Sequence, residues 1–286
     1  MEVKTITVIG AGTMGHGIAQ VAATGGYEVH LVDVSPELVA AARGKIEQNL
    51  AKGIKLGKIS EEAMRSALGR LHTGAGLEEA AAASDLVIEA VPEIIDLKKD
   101  LFARLDSICR GHAILATNTS TLSPSEIGSV THRADRVIAM HFFNPVHIMK
   151  LVEVIRSLDT ADETCNTAVA VARQMGKETV IVNESPGFVT SRMSALVGNE
   201  AFYMLQEGVA SAEDIDRAIQ LGLNYPMGPL KLADLVGLDV RLRNLEYLHR
   251  TLGDKFRPCP LLVKYVQAGR LGRKTGRGVY DYTEEA

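Results

Sequence analysis

The chain has 286 residues, of which 46% are hydrophobic and 23% charged, so it is not a disordered or fibrous protein. This length allows one large domain or two moderate ones. The net charge of −4 and the pI near 6.1 do not favour a nucleic-acid partner.

The cysteine content points to a reducing compartment. Cys109, Cys165 and Cys259 are far apart and odd in number, so they provide neither a disulfide framework nor the spacing of metal ligands. The N-terminus enters a strand-like run without a visible targeting segment. No apolar stretch approaches the ~18 residues that a membrane span needs. We therefore expect a soluble, cytoplasmic protein that binds neither metal nor membrane.

A dinucleotide-binding pattern opens the chain. A predicted strand at Thr5–Ile9 runs into the loop Gly10-Ala11-Gly12-Thr13-Met14-Gly15, and residues 18–23 then have the apolar character of a helix packed on a sheet. A second predicted strand, residues 29–32, ends on Asp33. This order of strand, glycine loop, helix, strand and acid is typical of an NAD-binding site.

Each glycine of the loop meets a structural requirement that a larger residue would not meet. Gly10 allows a tight turn, Gly12 lets a pyrophosphate approach the backbone, and Gly15 allows the helix to pack closely on the strand. We count Thr13 and Met14 with the loop as cofactor contacts. Asp33 would bind a ribose hydroxyl and repel a 2′-phosphate, which favours NAD over NADP. The alternative is a glycine-rich turn that binds no ligand.

Strand and helix patterns then alternate up to residue 184. We predict helices at residues 37–51, 61–71, 97–108 and 164–175, and strands at residues 85–91, 113–117, 137–141, 151–155 and 179–182. Such alternation predicts an α/β fold, a Rossmann-type, doubly wound and mainly parallel sheet in a domain of residues 1–184.

After residue 184 the strand patterns disappear. Helices are predicted at residues 188–206, 238–252 and 260–267, and Ser211 followed by Asp214 marks the start of another. Residues 185–286 are therefore predicted to form an all-α domain.

Polar side chains gather at the predicted strand ends. They are Asp33, Glu93, Asn118, Ser120, His141 and Asn144. Because ligands bind at the carboxyl ends of parallel strands, these residues predict an active site.

His141 and Glu153 both fall in apolar strand-like runs. A buried carboxylate is costly unless it is paired, and an imidazole is the partner that this sequence offers. Histidine suits removal of a hydroxyl proton because its ordinary pKa of ~6.5 is close to working pH. Ser120 and Asn144 could then hydrogen-bond the reacting oxygen. The alternatives are a satisfied core histidine and loop residues chosen for their turns.

A set of lysines lies on and after the helix predicted at residues 37–51. Lys52 and Lys55, with Lys58 after them, either face solvent or contact a phosphorylated substrate tail.

Several motifs together resemble the 3-hydroxyacyl-CoA dehydrogenase family, and the likeness is closest to its short bacterial members that act on 3-hydroxybutyryl-CoA. The likeness covers essentially the whole chain, in residues 10–15, 118–121, 141–145, 150–154, 185–188, 225–229 and 271–276. It implies a Rossmann domain, a helical substrate and dimerisation domain, NAD, an acyl-CoA substrate and a homodimer. The expected reaction is reversible oxidation of an (S)-3-hydroxyacyl-CoA to the 3-oxoacyl-CoA.

The resemblance also implies roles for single residues. His141 and Glu153 are the implied catalytic pair, and Ser120 and Asn144 contact the substrate. Glu93 and Lys98 match family positions near the nicotinamide ribose, and we count Asn118 with the cofactor contacts. Ser191 stands where the family usually has asparagine, which alters one polar contact with the substrate.

Two other functions fit parts of the sequence. A related dehydrogenase of a free hydroxy acid or sugar acid would share the fold. A non-enzymatic NAD-binding protein would share the glycine loop but would not need the buried pair.

Overall fold

The computed structural model describes residues 1–74 and 76–283, and it separates two compact units, Met1–Glu184 and Ser185–Ala286. The final residues of the predicted second domain, 284–286, lie outside the described residues. Unit 1 contains a mainly parallel sheet with helices, whereas the described part of unit 2 is helical. The predicted fold class is therefore confirmed.

One sheet of eight strands organises the described part of unit 1. Its strands are β1 (Thr5–Ile9), β2 (Glu28–Val32), β3 (Leu71–His72), β4 (Leu86–Glu89), β5 (Ile114–Thr117), β6 (Val137–Phe142), β7 (Leu151–Arg156) and β8 (Glu178–Asn183). The order is β3-β2-β1-β4-β5-β6-β7-β8. Every neighbouring pair in it is parallel except β6 with β7, which pair antiparallel. The first six strands follow the Rossmann order, in which ligands bind at the carboxyl ends beside β1 and β4.

Alternate residues of the central strands supply two apolar cores. Ile6 and Val8 of β1 pack in one cluster, while the neighbouring Ile9 packs with Val87 of β4 in another. Successive side chains of a strand point to opposite faces of the sheet, so both faces are covered. Covered faces explain why these strands appear in the sequence as nearly continuous apolar runs.

The helices of unit 1 are α1 (Gly15–Thr24), α2 (Pro36–Lys55), α3 (Glu61–Gly69), α4 (Leu77–Ala83), α5 (Ile95–Ile108), α6 (Pro124–Gly128) and α7 (Asp162–Gln174). The predicted helix at 61–71 is wrong at its end, because Leu71 leaves it and pairs with Val29 as part of β3. Helices α4 and α6 were not predicted, since both are too short to show a helical period. Serine caps begin α2 and α3, where Ser35 and Ser60 accept hydrogen bonds from backbone amides.

Unit 2 contains α8 (Thr190–Gln206), α9 (Ala212–Gly222), α10 (Pro229–Val236), α11 (Leu238–Leu252) and α12 (Pro260–Gln267). The predicted start of α9 is confirmed, since the Ser211 hydroxyl accepts a 3.1 Å hydrogen bond from the Asp214 amide. Phe202, Leu230 and Phe256 belong to its buried core.

Two motifs of the family resemblance have structural roles in unit 2. The carboxylate of Asp216 accepts hydrogen bonds from the first amides of α10, at 2.8 Å from Leu230, and a Cβ at Gly228 would lie only 2.2 Å from Asp216. A Cβ at Gly272 would likewise lie 2.2 Å from the Asp234 carbonyl oxygen, and the Asp234 carboxylate accepts hydrogen bonds from the Val279 and Tyr280 amides. These buried carboxylates fix the start of α10 and the C-terminal segment.

Among the helices of residues 1–74 and 76–283, none combines the length and the apolar character needed to cross a membrane.

Candidate active site

The glycine loop between β1 and α1 has the shape of a phosphate cradle. Gly10 has a φ of 99°, and a Cβ there would lie 2.6 Å from the Ala90 carbonyl oxygen. A Cβ at Gly15 would lie 1.6 Å from the Gly10 carbonyl oxygen, so both positions exclude larger residues. A Cβ at Gly12 would meet nothing within 4 Å, which leaves open space beside the backbone for a ligand. The amides at the start of α1 suit an anion in that space.

A cleft with a volume of about 960 Å³ lies beside this loop. The predicted cofactor residues that line it are Gly10, Gly12, Thr13, Met14 and Asp33. The volume is within the range of cofactor sites, and most of the lining is apolar, as an adenine ring requires. Asp33 accepts hydrogen bonds from the Ala11 amide at 2.7 Å and from the Ser35 amide at 3.2 Å. The residues therefore fit a dinucleotide, and the carboxylate is held where a ribose would bind.

Removing the Asp33 carboxylate should shift cofactor preference. We expect Asp33→Ala to raise the dissociation constant for NAD roughly 10- to 100-fold, because a hydrogen bond to a charged group is worth about 1.5–3 kcal/mol. NADP should lose less affinity, since repulsion of its 2′-phosphate is also removed. Titration with both cofactors measures this, and Asp100→Asn, which changes another carboxylate of the cleft lining, is the matched control. Equal losses for NAD and NADP would contradict the assignment.

A buried ion cluster lies behind the end of β4. The ammonium of Lys98 is 1% exposed; it donates to the Glu89 carboxylate at 2.6 Å and lies 3.3 Å from the Glu93 carboxylate. Glu89 is fully buried and also accepts a hydrogen bond from the Thr117 hydroxyl at 2.7 Å. Burial raises the pKa of Glu89, although Lys98 opposes the shift. The structure thus places Lys98 among carboxylates in the interior. Sequence reasoning missed Glu89.

Glu93 connects this cluster to the loop after β5. Its carboxylate accepts hydrogen bonds from the Thr119 hydroxyl at 2.5 Å and the Ser120 amide at 2.9 Å, and the Ser120 hydroxyl lies 3.3 Å away. Burial alone would raise the pKa of Glu93, but Lys98 and these hydrogen bonds lower it below its ordinary value. The predicted residues Glu93, Lys98 and Ser120 are therefore brought together.

Breaking the cluster should destabilise unit 1. We expect Lys98→Met to lower the free energy of unfolding by about 3–5 kcal/mol, because it leaves the buried Glu89 carboxylate without its cation. The neighbouring Lys99, whose ammonium lies 3.7 Å from Glu126 at the surface, provides the control. Lys99→Met should cost less than about 1 kcal/mol. Urea unfolding curves measure both, and equal losses would show that the buried pairing is unimportant.

Asn118 joins the ends of β5 and β6. Its side-chain oxygen accepts a hydrogen bond from the Phe142 amide at 2.9 Å, next to His141. From the sequence we predicted that Asn118 contacts the cofactor. In the structure its side chain holds the end of β6, next to His141.

The predicted pair is formed by the register of β6 and β7. His141 lies directly opposite Glu153 in the antiparallel ladder, so both side chains lie on one face of the sheet. His141 Nδ1 is 2.7 Å from Glu153 Oε2, and both residues are buried. The imidazole also contacts the ring of Phe143, with ring centroids 4.5 Å apart. A carboxylate can only accept here, so Nδ1 carries a proton.

The loop that follows β6 is held by a buried lysine. Lys177 donates its ammonium hydrogens to the carbonyl oxygens of Val146 and, at 2.9 Å, of Met149. Val146 also fits against Gly17 of α1, where a Cβ would lie 2.7 Å from the valine Cβ. Asn144, at the start of the loop, is exposed. Sequence reasoning missed Lys177, because only packing shows that this lysine is buried.

Several basic side chains lie near the same loop. Burial lowers the pKa of His147, and the nearby basic groups of His16, Lys177, Lys52 and Lys58 lower it further. Lys52 lies within α2 and Lys55 is its last residue, and both are exposed. The predicted lysine Lys52 therefore lies near the loop that follows β6.

Ser191 belongs to unit 2, where it is the second residue of α8 and half-buried. The turn before it depends on Gly187, which has a φ of 74° and accepts a hydrogen bond from the Arg192 amide at 2.8 Å. The motif at residues 185–188 thus fixes the start of α8.

Comparison with known proteins assigns both units. The family profile described as "3-hydroxyacyl-CoA dehydrogenase, NAD binding domain" matches residues 5–185. The profile described as "3-hydroxyacyl-CoA dehydrogenase, C-terminal domain" matches residues 187–282.

Full-length relatives agree with these matches. A probable 3-hydroxybutyryl-CoA dehydrogenase of Bacillus subtilis is 52% identical over 286 residues, covering 100% of this chain and 99% of the relative. The mitochondrial hydroxyacyl-coenzyme A dehydrogenase of Homo sapiens is 40% identical, covering 98% of this chain and 91% of the relative. The crystal structure of (S)-3-hydroxybutyryl-CoA dehydrogenase from Ralstonia eutropha has a TM-score of 0.95 at 45% identity, covering 99% of this chain and 100% of that one.

Proposed function

Because this chain belongs to the 3-hydroxyacyl-CoA dehydrogenase family, we propose that it interconverts (S)-3-hydroxybutyryl-CoA and acetoacetyl-CoA. The chain is an NAD-dependent oxidoreductase of 3-hydroxyacyl-CoA substrates. The observation that supports a four-carbon substrate is the 52% identity of this chain, over its full length, to a probable 3-hydroxybutyryl-CoA dehydrogenase. The buried His141–Glu153 pair supplies the chemistry.

NAD, held by the glycine loop and Asp33, would supply the acceptor for the hydride of the alcohol carbon. During oxidation of the alcohol, His141 removes the hydroxyl proton. We assign this step to Nε2 because Nδ1 is hydrogen-bonded to Glu153. The Glu153 carboxylate fixes the tautomer and stabilises the imidazolium that forms. In the reverse direction the imidazolium returns its proton to the developing alkoxide.

The polar residues around the pair are proposed to position the substrate and the cofactor. Ser120 and Asn144 hydrogen-bond the acyl part of the substrate, and Ser191 is proposed as a substrate contact because the family resemblance implies one at its position. Glu93 contacts the nicotinamide ribose. Lys98 supports Glu93 from the interior, since its ammonium is only 1% exposed.

The coenzyme A moiety is proposed to lie on the lysines of α2. Lys52 and Lys55 are exposed, and the positive charge near His147 favours phosphate groups. Raising the ionic strength should therefore increase KM for acetoacetyl-CoA.

We also propose a cytoplasmic homodimer formed through the helical unit. Exposed apolar side chains are concentrated at the end of α9 and on α10, where Leu221, Leu223 and Leu235 are 75%, 62% and 49% exposed. In a monomer these apolar side chains would be exposed to water, which is unfavourable. The three cysteines are free and buried, and free thiols fit a reducing compartment. Light scattering after gel filtration tests the dimer, and a monomeric mass at micromolar concentration would exclude it.

Substrate comparison tests the function. Purified protein with NADH and acetoacetyl-CoA should lose absorbance at the nicotinamide band, whereas free acetoacetate should give at most a slow reaction. Turnover of the free acid at the same kcat/KM would favour a dehydrogenase of free hydroxy acids. Absence of turnover with any coenzyme A ester would overturn the proposal, and bound NAD without turnover would favour a non-enzymatic protein.

A further inference from the structure

Lys177 is a buried cation of unit 1. It directly precedes β8, and the residue is only 7% exposed. Within the described part of the chain, no carboxylate lies within ion-pair distance of its ammonium, and burial lowers the pKa of Lys177. An interior ammonium without a counter-ion costs free energy. A methionine would fill similar space without this cost, so packing does not account for the charge.

The ammonium holds two carbonyl groups of the loop between β6 and β7, residues 143–150. In this loop, the amides of Ile148 and Met149 both donate to the Pro145 carbonyl oxygen at 2.9 Å, which closes a turn. The carbonyl oxygens of Val146 and Met149 accept hydrogen bonds from Lys177 instead, the second at 2.9 Å. Hydrogen bonds from a charged donor are roughly twice as strong as those between neutral groups. Lys177 therefore ties the turn to the start of β8.

A second contact fixes the same turn from the side of α1. Val146 is 2% exposed, and a Cβ at Gly17 of α1 would lie 2.7 Å from the valine Cβ. A glycine at this position lets the valine approach the helix backbone closely. The turn is therefore held between α1 and Lys177.

Asn144 lies between two fixed points of the chain. On one side, the Phe142 amide donates to the Asn118 side chain at 2.9 Å. On the other side, the Val146 carbonyl oxygen accepts from Lys177. A single residue separates Asn144 from each of these points, so its backbone has little freedom. The position of the exposed Asn144 side chain thus depends on Lys177.

We propose that Lys177 is a positioning residue for the reaction, which holds Asn144 where the substrate meets His141. The inference rests on the proposed function, in which Asn144 hydrogen-bonds the acyl part of the substrate. Lys177 acts through the loop, since its ammonium is bonded to two loop carbonyls. Such support matters because a misplacement of about 1 Å, caused far from the chemistry, can lower a rate about 10²-fold.

Kinetics of single and double variants test the proposal. Lys177→Met should lower kcat/KM for acetoacetyl-CoA roughly 10- to 100-fold, while the dissociation constant for NADH stays within about twofold. Arg173→Met removes an exposed cation shortly before Lys177 and should leave both values unchanged. In a protein that already carries Asn144→Ala, Lys177→Met should change kcat/KM less than about threefold, because both variants remove one contact. Losses that multiply would indicate general damage to the structure and would overturn the proposal.

Gly17→Ala disturbs the same turn without removing the buried cation. The added Cβ displaces Val146, so kcat/KM should fall only when Asn144 is present. This variant provides the kinetic test if Lys177→Met does not fold. An unchanged kcat/KM, or an equal loss with and without Asn144, would overturn the proposal.

Hydrogen exchange separates this proposal from the function on which it rests. The amides of Ile148 and Met149 should exchange roughly tenfold faster in Lys177→Met than in Arg173→Met, because their turn loses a charged hydrogen-bond donor. Equal exchange rates would refute the role of Lys177 even if acetoacetyl-CoA is reduced. Faster exchange, together with no turnover of any coenzyme A ester by the wild-type protein, would instead refute the proposed function.

Discussion

His141→Ala should lower kcat roughly 10²–10⁴-fold with acetoacetyl-CoA and NADH, because it removes the group that exchanges a proton with the substrate oxygen. KM for NADH should change little, since the glycine loop follows β1 and Asp33 follows β2, whereas His141 lies on β6. Initial rates at saturating substrate measure the effect.

His112→Ala is the matched control for this experiment. His112 is exposed and pairs with Asp85 at the surface, so its loss should leave kcat within about twofold of wild type. If His141→Ala kept the wild-type kcat while remaining folded by circular dichroism, His141 would not be the catalytic base.

Glu153→Gln should also lower kcat roughly 10²–10⁴-fold, although it preserves the shape of the side chain. An amide cannot stabilise the imidazolium by charge, and its NH₂ group can donate to Nδ1, which would favour the wrong tautomer. The wild-type carboxylate is fully buried at 2.7 Å from Nδ1, so no solvent screens the interaction. Rates with saturating acetoacetyl-CoA and NADH measure the loss.

Glu178→Gln changes an exposed carboxylate on the adjacent strand β8 and should leave kcat unchanged. Thermal unfolding of both variants shows whether a rate loss reflects unfolding. A Glu153→Gln protein that is folded, binds NAD and turns over at the wild-type rate would mean that the carboxylate is only a structural partner of His141.

The features predictable from sequence are those in which a residue type is tied to one local requirement. The glycine loop is such a case, because Gly10 and Gly15 each meet a backbone atom where a Cβ would be. The pairing of His141 with Glu153 was predictable because these two ionisable residues interrupt apolar runs. What the sequence left open was their antiparallel register, which sets the side chains opposite each other.

The missed residues are long cations and their partners, whose burial depends on packing. Glu89 ends a strand and meets Lys98 of α5, and nothing local shows that the two pair in the interior. Lys177 and Arg241 look like ordinary surface residues in the sequence, since a long aliphatic stem suits either setting, yet Lys177 and, in α11, Arg241 are only 7% and 6% exposed. Only the tertiary structure distinguishes a cation that supports a loop from one that faces an apolar pocket.

The most direct test of the central claim, that His141 and Glu153 act as one proton-transfer unit, is the kcat of the protein that carries both His141→Ala and Glu153→Gln. Residues that act as a unit have non-additive effects, so the double variant should have the kcat of His141→Ala alone, within about threefold. Two losses that multiply in the double variant would contradict the claim, because Glu153 would then act independently of the imidazole.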